Sequence, residues 1–156
     1  MQPTITTKPA FQIIGLQSRH GCEKEKCHNL WDSFLKRFDE LMPLAKKPGA
    51  YLGIHTDFDE DWNVCEHTVG VEVENPVTVP ENMISLEIPE QEYSVFECTF
   101  SSIMETFETH KNWCLQSGYE RSGGPELLRF DQPFDKNFDP QKPESPVYLY
   151  IPIRKQ

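Results

Sequence analysis

Glu72 is a carboxylate within an otherwise apolar segment, and a residue of that kind can bind a charged ligand or act as a base. It lies in residues 68–74, TVGVEVE, where valine recurs at every second position. That alternation predicts a β-strand with Gly70, Glu72 and Glu74 on its second face. Because an unpaired buried carboxylate is costly, we expect Glu72 to meet a cationic or polarised ligand, or to be a structural group bonded to a neighbouring strand.

Aromatic side chains could supply flat faces for planar or cationic compounds. Such contacts contribute roughly 0.5 to 2 kcal/mol each. Core packing against the sheet is the alternative for every one of them, and the sequence leaves both open. Tyr148 and Tyr150 share one face of the last predicted strand, which we expect to be a cleft wall. The candidates are Trp31, Tyr51, Trp62, Trp113, Tyr119, Phe130, Tyr148 and Tyr150.

Residue types that bind metals are grouped near the first predicted helix. They are His20, Cys22, Cys27 and His28, with His55, Cys65 and His67 further along the chain. The Cys-x4-Cys-His spacing differs from a tight zinc knuckle, and no second pair follows at a suitable distance. We therefore expect a solvated connecting loop here and no metal.

Composition limits the function classes. The chain has 156 residues, a formal net charge of -10 and 18 aromatic residues, which suits one domain over residues 1–156 with a real core. Its scattered lysines form no basic face, so we expect no direct binding of nucleic acid. Five cysteines, no secretory signal and no long apolar run predict a cytoplasmic protein without a disulfide framework or membrane span.

The elements that must position these residues follow one order twice. The predicted elements are strand 11–18, helix 28–42, strands 51–56 and 68–74, and then strand 93–100, helix 102–117, strands 127–130 and 147–153. Residues 1–9 are expected to be a loose arm and residues 75–90 a proline-bearing linker. The pattern predicts an α+β fold of two strand-helix-strand-strand modules, about 10–75 and 91–154, in a pseudo-twofold arrangement. Helices would cover one face of an antiparallel sheet, with a ligand cleft on the other.

Seven short motifs occur in a fixed order along nearly the whole chain. They are FQIIGL (11–16), LWxxF (30–34), PGAYLGI (48–54), GVEV (70–73), IPxxxYxVF (88–96), WxxxxGYE (113–120) and YIPI (150–153). In this the chain resembles the GyrI-like small-molecule-binding domains, the effector-binding domains of multidrug-responsive AraC- and MerR-type transcription regulators. The resemblance implies an aromatic-walled pocket between the halves for lipophilic, often cationic compounds, with neither metal nor nucleotide cofactor.

One family feature differs in this chain. Many members that it resembles carry a Glu-x-Tyr pattern in the strand after the second helix, where the buried glutamate contacts cationic ligands. The best-matching residues here are Leu128, Arg129 and Phe130. A shift of register would place Glu126 there, but the alternation disfavours it, which leaves Glu72 as the main charged candidate. The chain also begins its first predicted strand at residue 11, without the helix-turn-helix segment of full regulators.

The leading functional hypothesis is a stand-alone protein that binds hydrophobic aromatic compounds, cations among them, in the cleft between the modules. A first alternative is a hydrolase of cyclopropane-bearing electrophilic toxins, with Glu72 activating water and Tyr150 protonating the leaving oxygen. A second is a protein inhibitor of a topoisomerase that acts through its acidic surface. The natural ligand and the oligomeric state stay open.

Overall fold

The computed structural model describes residues 2–21, 24–46, 50–61, 63–74, 78–131 and 139–156. The strands are β1 (Thr4–Lys8), β2 (Phe11–Gly21), β3 (Tyr51–Thr56), β4 (Val64–Val73), β5 (Ile84–Ile88), β6 (Gln91–Thr99), β7 (Tyr119–Arg121), β8 (Glu126–Phe130) and β9 (Pro146–Lys155). The helices are α1 (Lys24–Lys36), α2 (Phe38–Leu41) and α3 (Ile103–Ser117), with 3₁₀ turns at Met42–Leu44 and Phe100–Ser102.

The strands of the described residues form one antiparallel sheet with the order β1-β6-β9-β8-β3-β4-β2-β5, and β7 pairs with β9. One module is β2-α1-β3-β4 and the other is β6-α3-β8-β9. Strands β3 and β8 meet at the centre of the sheet, where Gly53 lies opposite Leu128. This confirms the predicted α+β architecture of two similar modules.

Two short links show that the sheet is curled. β1 ends at Lys8 and β2 begins at Phe11, although five strands lie between them in the sheet order. The link from Ile88 to Gln91 joins β5 to β6 in the same way. Six strand spacings would cover about 29 Å in a flat sheet, whereas three Cα steps reach about 11 Å at most. The two ends of the sheet must therefore approach each other.

Curling gives the sheet a concave face, which carries Glu72 and Tyr150, and a helical face, which packs against α1 and α3. The buried core of the concave face comprises Phe11, Ile13, Leu52, Ile54, Ile88, Tyr93, Leu127 and Tyr150. The core of the helical face includes Trp31, Phe34, Tyr51, Val69, Val71, Phe96, Leu128, Phe130 and Leu149. Adjacent residues of one strand thus enter different cores, as strand geometry requires.

The edges of the sheet differ from the sequence prediction. The loose arm predicted for residues 1–9 is wrong, because Thr4–Lys8 pairs with β6 from Thr4 opposite Val95 to Lys8 opposite Gln91. The linker predicted for residues 75–90 contains β5, which pairs with β2. Each edge strand precedes one module in the chain but pairs with the first strand of the other module. The two halves are therefore linked at both edges as well as at the centre.

The helices begin and end for local reasons. α1 begins at Lys24, before the predicted residue 28. The prediction began too late because the first turns of α1 are charged and its apolar periodicity starts only near Leu30. It is interrupted near Arg37, whose side chain donates hydrogen bonds to Glu40 and to the Glu81 carbonyl. α3 ends at Gly118, which has a φ of 81°. Among the helices described, none has the length and apolar content needed to cross a membrane.

Candidate functional site

A large cavity lies on the helical face, between α1 and α3 and over the central strands. Its volume is about 860 Å³. The strands contribute Gly53, His55, His67, Val69, Glu126 and Leu128, and the helices contribute Cys27, Leu30, Trp31, Ile103, Phe107, His110 and Cys114. The large cavity therefore lies on the face opposite to the one predicted for the ligand cleft. The curl of the sheet explains the difference, because the concave face is largely filled by its own core.

Trp31 forms the aromatic wall of this cavity. It is 5% exposed and meets Phe34 and Phe130 edge to face, with ring centroids 5.6 and 5.4 Å apart. Gly53 lies beneath the indole, where a Cβ atom would be 3.4 Å from Trp31 Cζ2. The absence of a side chain at Gly53 thus lets Trp31 lie close to the sheet. Exposed Met104 and Leu115 of α3 extend the apolar lining to the rim.

Glu126 brings a carboxylate to the wall of the cavity. It is 1% exposed, and its Oε2 accepts a hydrogen bond from Arg121 Nε at 2.5 Å. The Arg121 guanidinium also lies 5.2 Å from the Phe107 ring centroid and 5.7 Å from that of Phe58. Burial raises the pKa of Glu126 and outweighs the opposite effect of Arg121. The cavity therefore contains a buried carboxylate that pairs with a partly exposed guanidinium near two aromatic rings.

Two histidines of the cavity, His55 and His110, remain neutral near physiological pH. Burial lowers the pKa of His55 to about 3, with further lowering from His67 and Arg121. Burial and the charge of Arg121 lower the pKa of His110 to about 4. His110 Nε2 lies 3.5 Å from Cys114 Sγ. The imidazoles of His55 and His110 therefore add polar but uncharged surface to the cavity.

Glu72 lies in a different and smaller cavity, on the concave face. This cavity has a volume of about 130 Å³, and Tyr150, Arg129 and Leu127 are among its lining residues. Glu72 forms two ion pairs: its Oε1 lies 3.0 Å from Lys8 Nζ and its Oε2 lies 3.1 Å from Lys46 Nζ.

The two lysines set the protonation behaviour of Glu72. Burial acts to raise its pKa, but the hydrogen bonds and charges of Lys8 and Lys46 outweigh burial, and the pKa lies below its usual value. A carboxylate with a lowered pKa is a weaker base. Glu72 and Tyr150 both line this cavity, as the hydrolase alternative needs. The cavity is small, however, and the Glu72 carboxylate is already paired with two lysines.

The other predicted site residues are divided among several environments. Tyr51 and Phe130 are fully buried in the core of the helical face, where Phe130 meets Trp31 edge to face. Tyr148 lies on the concave face, opposite Glu97 and Arg129.

Trp113 and Tyr119 stack on each other with ring centroids 5.6 Å apart, and neither is among the residues that line the two cavities. Trp62 lies outside the described residues. Of the members of the predicted aromatic set that the structure describes, only Trp31 lines the large cavity.

Sequence reasoning did not select Glu126, although the strand pattern contained the signal. Glu126, Leu128 and Phe130 are two residues apart in β8 and share the helical face. A shift of two residues keeps a side chain on the same face of a strand. The alternation that seemed to disfavour Glu126 therefore permits it.

This fold and cavity belong to a domain that the family comparison assigns to the effector-binding class. The chain belongs to the Cass2 family of integron-associated effector-binding proteins, whose family model matches residues 4–153. This confirms the resemblance to GyrI-like effector-binding domains.

Relatives include a full-length regulator and solved single domains. The transcriptional regulator BrlR of Pseudomonas aeruginosa is 28% identical over 164 residues, covering 98% of this chain and 56% of the regulator, so this chain spans little more than half of its length. The C-terminal domain of EcmrR superimposes with a TM-score of 0.71 at 12% identity, covering 99% of this chain and 98% of that domain. SAV2435 bound to tetraphenylphosphonium gives 0.70 at 11% identity, with coverage of 99% and 94%. At these identities the structural likeness shows the fold.

Proposed function

We propose that this protein binds hydrophobic aromatic compounds, cations among them, in the large cavity of the helical face. The observation that carries the proposal is a cavity of about 860 Å³ with a mainly apolar lining and a buried carboxylate in its wall. Pockets of roughly 300 to 1,000 Å³ with apolar walls and a few polar groups suit drug-sized ligands. Trp31 and Phe107 offer the aromatic surface, and Glu126 offers the charge.

The charge balance of the cavity favours cations. Among its described lining residues are the acidic Glu108, Glu120 and Glu126 and the basic Lys111 and Arg121. Glu126 already pairs with Arg121, so a bound cation would share a carboxylate that is desolvated in both states. The structural relative SAV2435 has been solved with tetraphenylphosphonium, a cation that carries four phenyl groups. A compound of this kind is a suitable first probe.

Two probes of similar shape and opposite charge test the proposal. Tetraphenylphosphonium and tetraphenylborate would each be titrated into the protein while tryptophan fluorescence is followed, because Trp31 lines the cavity. We expect saturable binding of the cation and at least about tenfold weaker binding of the anion, since about 1.4 kcal/mol corresponds to tenfold. The preference should disappear in Glu126→Gln, while Glu72→Gln, the matched control on the concave face, should retain it.

Replacing Arg121 should have the opposite effect on tetraphenylphosphonium binding to replacing Glu126. Arg121→Met removes the resident cation of Glu126 and raises the pKa of that carboxyl further. It should therefore strengthen binding of tetraphenylphosphonium at alkaline pH, where Glu126 is ionised and lacks its partner. The proposal fails if wild type shows no saturable binding. Loss of binding in Glu72→Gln with retention in Glu126→Gln would transfer the site to the concave face.

A further inference from the structure

Three metal-ligand side chains that are distant in sequence converge at one end of the large cavity. One ligand atom from each of His20, Cys27 and His67 lies within 4.8 Å of the others. The antiparallel register of β2 and β4 places Ser18 opposite His67 and His20 opposite Cys65, so the two histidines are diagonal neighbours on the helical face. α1 begins shortly after β2 and brings Cys27 to the same place. The solvated loop predicted here from spacing is therefore wrong for His20 and Cys27.

Hydrogen bonds to backbone carbonyls fix one tautomer for each histidine. His20 Nδ1 lies 2.7 Å from the carbonyl oxygen of Gly21, and His67 Nε2 lies 3.1 Å from that of His20. A carbonyl oxygen can only accept, so each of these ring nitrogens carries the proton. In the neutral form of each ring, the lone pair is then on Nε2 of His20 and on Nδ1 of His67. Histidines that bind metals are commonly oriented by this kind of outer hydrogen bond.

We propose that His20, Cys27 and His67 bind one zinc ion at the wall of the large cavity. Two imidazoles and a thiolate form a borderline-soft donor set that suits Zn²⁺ rather than Mg²⁺ or Ca²⁺. Three protein ligands leave the fourth tetrahedral position for water or for another donor. Because Cys27 and His67 both line the cavity, that position is accessible from the ligand space. A bound zinc ion would thus add a site for donor atoms of a small molecule.

Binding requires a small rearrangement of the side chains. Tetrahedral zinc bonds of about 2.0 to 2.3 Å place ligand atoms roughly 3.3 to 3.8 Å apart, so the cluster must close by about 1 Å. The His20 and His67 rings are stacked, with centroids 3.8 Å apart and an interplanar angle of 12°. A metal lies near the plane of each ring that binds it, so the two rings must also tilt. His55, which meets His67 at 65°, lies beside this movement.

Zinc titration of the reduced full-length chain, after removal of metal by a chelator, tests the site. We expect calorimetry to show one Zn²⁺ per chain and no binding of Mg²⁺. The Co²⁺-loaded protein should show thiolate-to-cobalt charge-transfer absorption. Cys27→Ser should abolish that absorption and weaken Zn²⁺ binding. The loss of affinity should exceed about 10- to 100-fold, which is the usual effect of removing a residue that only hydrogen-bonds to a metal ligand. His67→Ala should weaken binding to a similar degree.

Two variants outside the cluster are the controls. His28→Ala changes an exposed histidine next to Cys27, and Cys98→Ser changes a half-buried cysteine of the other module. Both should bind Zn²⁺ as wild type does. If Cys27→Ser fails to fold, mass spectrometry of wild type replaces it, and Zn²⁺ should slow alkylation of Cys27 but not of Cys98.

Absence of stoichiometric binding would overturn the proposal, as would unchanged Zn²⁺ affinity in a folded Cys27→Ser or undiminished alkylation of Cys27. The binding of tetraphenylphosphonium is measured in a separate experiment. Failure of the zinc proposal therefore does not affect the test of ligand binding in the large cavity.

Discussion

The two faces of the sheet each contain a carboxylate beside a cavity, and they use it differently. Glu126, on the helical face, is almost fully buried, pairs with Arg121, and has a raised pKa. Glu72, on the concave face, has a side chain that is 15% exposed, pairs with two lysines, and has a lowered pKa. One carboxylate is held in a desolvated environment, and the other is neutralised by its partners.

The comparison shows that the position of a carboxylate in a strand does not determine its role. Lys8 at the end of β1 and Lys46 after α2 reach Glu72 because the sheet curls and brings separate parts of the chain together. Glu72 therefore connects segments of the fold. Glu126 lies in the wall of the large cavity, which α1, α3 and the central strands line. The curl of the sheet thus separates a structural carboxylate from the candidate ligand-binding one.

Two adjacent leucines allow the test of the two faces with the largest expected effect. Leu127 lines the concave face and Leu128 the large cavity, and both are buried. Leu127→Ala should lower the free energy of unfolding by about 2 to 5 kcal/mol, because it leaves a void in a packed core. Leu128→Ala should lie at or below the lower end of that range, because its side chain already faces open space. Denaturant unfolding measures both.

The same pair also separates stability from binding. Leu128→Trp should fill part of the large cavity and weaken binding of tetraphenylphosphonium, whereas Leu127→Ala should leave the affinity of the folded protein nearly unchanged. Equal unfolding costs for Leu127→Ala and Leu128→Ala, together with equal effects on binding, would contradict the assignment of the ligand to one face.

The response to pH should also differ between the faces. His110 is 3% exposed and its pKa is lowered from 6.5 to about 4. The unfolded chain therefore binds a proton more readily, and the stability that neutral His110 allows is lost as pH falls from about 6.5 through 4. The loss should approach about 2 to 3 kcal/mol, since one pKa unit corresponds to about 1.4 kcal/mol. Unfolding of wild type and His110→Gln at pH 7 and pH 4.5 measures it.

The His110→Gln variant should lack this part of the pH dependence. Arg121 and the Cys114 thiol, which lie near His110, remain in both proteins and cancel in the comparison. Parallel pH curves for the two proteins would show that the histidine is not desolvated.

Local alternation and helical spacing were sufficient to predict the modules. Strand 51–56 has the same bounds in the structure, and Gly118 ends α3 as its position suggested. The edge strand Thr4–Lys8 was not predicted, because its partner β6 is distant in sequence and its residues are mostly polar. Strand pairing over that distance has no local signal. The family resemblance was predictable because six of its seven motifs lie within the modules, and the seventh, IPxxxYxVF, begins at the end of β5.

The site was harder to predict than the fold. Trp31 was selected from its helical position and does line the large cavity, but Glu126 was set aside on an alternation that a two-residue shift preserves. The convergence of His20 and Cys27 with His67 depends on the register of β2 and β4, which spacing along the chain cannot reveal. The position of the cavity depends on the curl of the sheet, which follows from links between distant strands.

The smallest expected effect tests the structural role of Glu72. Glu72→Gln should lower the free energy of unfolding at pH 7 by about 1 kcal/mol or less, because its two lysine partners are partly exposed. The pKa of Glu72 is lowered, so its contribution is present above the usual pKa of 4.5 and is lost as pH falls below it. That interval begins near the lower end of the one for His110, and added salt should diminish the Glu72 contribution further. If Glu72→Gln instead abolished ligand binding in a stable protein, the two faces would exchange roles, and the carboxylate held by lysines would be the one that recognises the ligand.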